Sequence, residues 1–279
     1  MTRATKVFIP SEVGVSAAFL FIKTRRRRKR SLMGRFASCR QETQSKEAPV
    51  HIPDGYLGPQ TYLPLYGVSI GFWTIAQKKL KKQLTLKHVP YLAMSAAFSF
   101  LMMMFNIPIP GGTTGHAVGA AIIAILLGPW TAVSAVSVVL IIQALLFGDG
   151  GMTAVGANCF NMAVVMPFAS YWIFKLVKGK TKGGARIAPA AFLAGYLGLA
   201  IAALMTALEF GIQPLIATGT NGRPLYAPYP LSIAVPAMVL EHLFLFGIVE
   251  GLVTMLLLNY FLKHEPDLVH ALSNPSPVR

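Results

Sequence analysis

Apolar positions along this chain come in long blocks, with polar and turn-forming residues confined to the joints. From residue 62 onward there are seven such blocks: 62–76, 89–107, 116–127, 130–147, 153–177, 187–210 and 231–262. The joints carry helix-ending chemistry. Lys78-Lys79 closes the first block, and Pro108 and Pro110 close the second. Gly128-Pro129 separates the third from the fourth, and Gly148-Asp149-Gly150-Gly151 ends the fourth. Pro189 falls in the first turn of the sixth, where proline is tolerated. Most blocks approach or exceed the roughly 20 residues that carry a helix across a bilayer. The third is short; merged with the fourth into one bent element, it would reduce the count to six.

Composition agrees with a membrane protein. The chain is 54% hydrophobic and 13% charged, against about 25% charged in ordinary soluble domains. The expected fold is therefore an all-α integral membrane protein with about seven transmembrane helices.

Charge then orients it. The formal net charge of +15 would suit a nucleic-acid partner, but its distribution excludes that reading. Residues 1–49 carry 12 Lys/Arg against 3 Asp/Glu. Beyond them the cations gather in two loops: Lys78, Lys79, Lys81, Lys82 and Lys87 in one, and Lys175, Lys178, Lys180, Lys182 and Arg186 in the other. Lys263 follows the last block. Stretches 50–61, 108–115 and 148–152 contain no Lys or Arg, and 211–230 has only Arg223. With seven spans, all the basic loops fall on one side. The positive-inside rule then puts the N-terminus outside and the C-terminus in the cytoplasm. Six spans would break the alternation.

Residues 1–49 read as foreign to the rest. A short apolar run precedes the basic run 25–30, the reverse of a secretory signal, and a strongly basic start conflicts with an outside N-terminus. We read this leader as lying upstream of the true start. Residue 50 is then the initiating residue, written as valine but translated as methionine. The expected organisation is a basic, disordered leader at 1–49, a membrane-embedded component at 50–262 and a cytoplasmic tail at 263–279. The two cysteines, Cys39 and Cys159, form neither a metal-type pair nor a disulfide framework.

The chemistry lies in Val50-His51-Ile52-Pro53-Asp54-Gly55 and in Pro108-Ile109-Pro110-Gly111-Gly112-Thr113-Thr114-Gly115-His116. Both fall on the outer side. If residue 50 is the first, its free amine, the amide nitrogen of His51 and the His51 imidazole can form fused chelate rings on one ion. His116 supplies a fourth nitrogen. A planar nitrogen set suits Ni(II) or Cu(II), with Co(II) also plausible. Surroundings poor in carboxylate disfavour Mg(II) and Ca(II). Asp54 is a candidate to orient an imidazole, or simply the middle of a Pro-Asp-Gly turn. Asn158 and Asn161, three residues apart on one helical face, either line the site or tie helices together. Glu209, Glu241, His242 and Glu250 are ionisable groups in or near spans, which marks them as functional candidates; their roles stay open. His88, His264 and His270 read as surface or tail residues.

These two motifs, together with Gly156-Ala157-Asn158-Cys159-Phe160-Asn161-Met162, closely resemble the substrate-binding membrane component (CbiM/NikM type) of energy-coupling-factor cobalt and nickel transporters. The resemblance covers about residues 50–262. It implies a multi-pass protein of the cell membrane whose N-terminal amine, second-position histidine and post-glycine-loop histidine hold the metal, here Val50, His51 and His116. It further implies a coupling transmembrane subunit, two ATPase subunits and a small accessory membrane subunit. The ion is cargo, and no cofactor is expected. Residues 87–168 resemble the cobalt-type members, so uptake of Co(II) for cobalamin synthesis is expected first and Ni(II) second. The leader is the departure, since it would leave no free amine at position 50. No GxxxxGK[ST] loop is present, so ATP hydrolysis must come from a partner. A metal-dependent intramembrane hydrolase would need HExxH or paired carboxylates, and neither occurs. A ligand-free scaffold subunit remains the third reading.

Overall fold

A computed structural model describes residues 51–83, 89–109, 113–179 and 184–266. The leader with its basic run, Val50, loop residues 110–112, Lys87, His88, Lys180, Lys182 and His270 lie outside the described residues.

Helices occupy all seven apolar blocks. The chain runs through α1 (Pro59–Gln83), α2 (Val89–Met104), strands β1 (Asn106–Ile109) and β2 (Thr113–His116), then α3 (Ala120–Leu127) and α4 (Pro129–Ile142). It continues through α5 (Val155–Asn158), α6 (Met166–Lys178), α7 (Ile187–Gly211), α8 (Gln213–Ile216), α9 (Leu231–Glu241) and α10 (Gly247–His264). Three wide π-turns are spliced in: π1 (Gln143–Phe147) after α4, π2 (Cys159–Val165) between α5 and α6, and π3 (His242–Phe246) between α9 and α10. Among the described residues, four continuous helices are long and apolar enough to cross a membrane: Pro129–Phe147, Val155–Lys178, Ile187–Ile216 and Leu231–His264. Large apolar side chains such as Leu146, Leu176, Leu215 and Phe244 are at least 74% exposed, as a lipid-facing surface requires. The chain is thus a multi-pass, helical membrane protein.

The core is built from small residues. Ala120, Ala121, Ala132, Ala190, Ala191, Ala194 and Ala202 are buried with Val136, Leu140 and Met166. They let α3, α4, α6, α7 and α10 approach closely, so packing rather than hydrophobic transfer holds the bundle.

Two boundaries differ most from expectation. Helix α1 runs on to Gln83, because the lysines that end its apolar block are themselves good helix formers. The third helix begins at Ala120, not at His116. The residues before it form an antiparallel hairpin with Asn106 opposite His116 and Ile107 opposite Gly115. Pro108 and the β-branched Thr113 and Thr114 favour that geometry over a helix. Gly128, at φ 87°, separates α3 from α4, so they are two elements rather than one bent one.

The eight residues of α3 reach only about 12 Å. Non-helical residues Ala117–Gly119 precede it, and buried irregular backbone must find internal partners. Glu250, fully buried on α10, supplies them. Its Oε2 accepts from the Val118 N–H at 2.8 Å and the Gly119 N–H at 2.9 Å. Ser99 Oγ donates to the Val118 carbonyl at 2.8 Å.

The two ends of the bundle differ chemically. At one, Lys79 lies 4.6 Å from the Trp130 ring and Lys175 lies 4.4 Å from Tyr171. Three histidines, His51, His116 and His242, line one cavity elsewhere in the bundle, with Asp149 3.9 Å from His51.

Candidate metal centre

The segment that carries His51 is clamped in place by backbone chemistry. The Ile52 N–H donates to Asn158 Oδ1 at 3.1 Å, and Asn158 Nδ2 donates back to the Ile52 carbonyl at 3.2 Å. The Gly151 N–H donates to the same carbonyl at 2.8 Å. Asp54 Oδ1 accepts from the Thr153 N–H at 2.7 Å and the Thr153 hydroxyl at 2.6 Å. Further on, the Gly58 N–H donates to Gln213 Oε1 at 3.0 Å. The turn after π1 lies so close that a Cβ on Gly151 would sit 2.2 Å from the Asp54 nitrogen. Glycine is therefore required at 151 for the segment to seat.

The clamp buries His51, 5% exposed, beside His116, 6% exposed. Their ring centroids are 4.8 Å apart with the planes at 80°. His51 Nε2 lies 3.2 Å from Gln143 Oε1 and 3.9 Å from Asp149 Oδ2. An amide oxygen only accepts, so His51 carries its proton on Nε2 and leaves a lone pair on Nδ1. That Nδ1 is buried with no hydrogen-bond partner. His116 is arranged the other way round: its Nδ1 donates to the Ala117 carbonyl at 3.1 Å, which leaves the lone pair on Nε2.

Both imidazoles are held neutral. Burial pushes His51 down to about 4, against a smaller opposing effect of the Gln143 hydrogen bond. Burial and the neighbouring His51 push His116 down to about 3. At neutral pH neither ring has a proton to lose before it can ligate. Asp54 is held below the usual carboxylate range: burial pushes it up, but hydrogen bonds from Thr153 and the Met152 backbone outweigh that.

His51 and His116 line one cavity of about 70 Å³, together with Asn158, Thr114, Thr206 and His242. Among the described residues, no three His, Cys, Asp or Glu side chains form a cluster set to hold an ion. Side chains alone therefore give two imidazole nitrogens, and further donors would have to come from backbone or terminal nitrogen.

Of the expected outer partners, Asn158 lines the cavity and locks Ile52. Asp54 binds Thr153, and the groups beside the His51 ring are Gln143 and Asp149. Asn161 turns away: its Nδ2 donates to Glu209 Oε2 at 2.9 Å and Thr206 Oγ1 at 3.0 Å on α7. Of the two roles expected for this pair, Asn158 thus lines the site and Asn161, within the wider winding of π2, ties helices together. Gln143 was missed by the sequence reading. The available signal was an amide in a block with no other large polar side chain.

A family model described as the cobalt uptake substrate-specific transmembrane region matches residues 51–268. The fused nickel transport protein NikMN of Rhodobacter capsulatus is 52% identical over 221 residues, 79% of this chain and 64% of its own length. The chain thus spans under two thirds of that fused protein. The cobalt transport protein CbiM of Ruminiclostridium cellulolyticum is 32% identical, across 80% of this chain and 87% of its own length. A truncated transition metal transporter of known crystal structure is 47% identical, superposes with a TM-score of 0.74, and is covered over 99% of its length by 77% of this chain.

Proposed function

Since this chain belongs to the cobalt uptake substrate-specific transmembrane family, we propose that it is the component that captures Co(II) or Ni(II) outside the membrane, in an energy-coupling-factor importer. The carrying observation is the pair of neutral, buried imidazoles whose lone pairs sit on His51 Nδ1 and His116 Nε2. In this reading the amine of residue 50 and the His51 amide nitrogen complete a four-nitrogen set. Fused chelate rings then fix the plane, and His116 closes it.

The resting ligands are neutral, buried imidazoles. Such a site favours borderline transition metals over Mg(II) and Ca(II), which require oxygen donors. Between the two cargo ions, the nickel-named relative is the more similar, at 52% against 32%. That favours Ni(II) over the Co(II) first expected. For Co(II) the use would be cobalamin synthesis.

Seven crossings, with the histidine end outside and the Lys79–Trp130 and Lys175–Tyr171 end in the cytoplasm, agree with the loop charges. ATPase subunits, a coupling transmembrane subunit and a small accessory membrane subunit supply the energy and the passage.

Isothermal titration of Ni(II) and Co(II) into protein whose first residue is residue 50 tests the site. Binding that is abolished by His51→Ala and by His116→Ala is expected. No binding, or binding indifferent to both changes, overturns it.

A further inference from the structure

His242 is the third histidine of the same cavity and has no part in the four-nitrogen set. It opens π3, where the wider winding re-aims side chains relative to the α-helix before it. Its Nδ1 donates to the Met238 carbonyl at 2.8 Å. That bond fixes the neutral tautomer and leaves the donor lone pair on Nε2. The ring is 7% exposed and lines the cavity shared by His51 and His116.

Packing ties it to the hairpin. Phe246 lies beside His242, ring centroids 5.8 Å apart and planes tilted by 51°. Phe246 in turn rests on Gly115, where a Cβ would fall 2.0 Å from its ring. Gly115 immediately precedes His116. The turn that bears His242 and the strand that bears His116 are thus pressed together, with no room for a side chain between them. The three imidazoles nevertheless do not form one cluster that grips a single point.

We propose that His242 is an exchange ligand: it binds the metal ion transiently as the ion enters or leaves the His51–His116 position, and is not a ligand at rest. This rests on the metal site proposed above. A planar four-nitrogen ion sheds a ligand slowly unless a fifth donor approaches first. The bond from His242 Nε2 to the metal forms, and the bond from His116 Nε2 breaks. Both donors are neutral imidazoles, so no proton moves and the metal keeps its charge and oxidation state.

The test uses protein purified from membranes of cells expressing the whole gene. Ni(II) uptake and chelator-driven Ni(II) release are followed by stopped-flow absorbance. In His242→Ala, both rates fall about tenfold or more while Kd moves less than about threefold, because an exchange ligand changes rates and not the equilibrium. Added free imidazole restores the rates. His242→Gln, which keeps an amide donor for the Met238 carbonyl, covers the case in which the alanine variant fails to fold. Unchanged rates in a variant that binds Ni(II) overturn the inference alone. So does a loss of affinity as large as that of His116→Ala, which would make His242 a permanent ligand. Wild-type protein that binds no Ni(II), or whose binding survives His51→Ala, overturns the underlying site and the inference with it.

Discussion

His51 and His116 meet edge to face with ring centroids 4.8 Å apart, although 64 residues of chain lie between them. Each turns a different nitrogen to the shared space, and each is fixed in that tautomer by an acceptor on its far side. Replacing either with alanine is expected to lower Ni(II) and Co(II) affinity by about 100-fold or more, beyond the 10- to 100-fold typical of outer partners. Titration calorimetry reads this directly.

Gln143 is the outer partner of His51. Gln143→Leu removes the acceptor that holds the His51 proton on Nε2, and an expected 10- to 100-fold loss of affinity follows. Gln143→Glu keeps an acceptor oxygen and should lose less. Equal affinities in Gln143→Leu and wild type would mean the tautomer is set elsewhere.

The contribution of these two histidines to metal-free stability should depend on pH with a definite sign. Unfolded histidine takes up a proton below its ordinary value of 6.5, whereas the folded protein resists until about 4 at His51 and about 3 at His116. In that window the unfolded chain binds more protons, so stability rises with pH. The contribution is complete above 6.5, falls away as pH drops, and levels off below about 3. The difference in melting temperature between the metal-free wild type and the His51→Leu, His116→Leu double variant isolates this contribution, and it should shift in favour of the variant as pH falls from 8 to 4.

Metal affinity should follow a different curve. With the imidazoles already neutral, protons compete in the range near neutrality at the terminal amine, whose ordinary pKa is about 7.7–8.0, and at the amide. Affinity should therefore fall steadily from pH 8 to 5 and steepen again only near 4. Acetylating the amine of residue 50 should remove the first part of the curve.

Glu250→Ala orphans the buried Val118 and Gly119 N–H groups. The expected cost is about 1–3 kcal/mol for each unsatisfied group. Glu250→Gln retains an acceptor and should recover most of it. Unfolding in mixed detergent measures both.

The helical blocks were legible because twenty apolar residues in a row admit few structures, and the bilayer makes the helix almost obligatory. His51 and His116 were legible because they punctuate cation-free loops. Three things were not. The hairpin Asn106–Ile109 with Thr113–His116 lay hidden because a loop rich in glycine and proline is compatible with several backbone paths. The π-turns left no mark in composition, so the role of Asn161 stayed open between two readings and His242 was set among the undecided. Glu250 could be flagged as an ionisable residue in a span, but its partners are backbone groups 131 and 132 residues away, and backbone carries no sequence signal.

The clamp on the His51 segment has a consequence for how the protein is made. Every side chain or backbone group that seats the segment follows it in the chain: Gln143 by 92 residues, Asp54's partner Thr153 by 99, Asn158 by 106 and Gln213, which holds Gly58, by 155. A ribosome delivers His51 long before anything exists for it to rest on. The segment must wait at the membrane surface until the helix pair that ends and restarts around Gly151 is inserted, and only then can it close over the cavity. At the proposed site, occupancy by metal would thus be a late event in biogenesis, one that waits for residues as far on as Asn158.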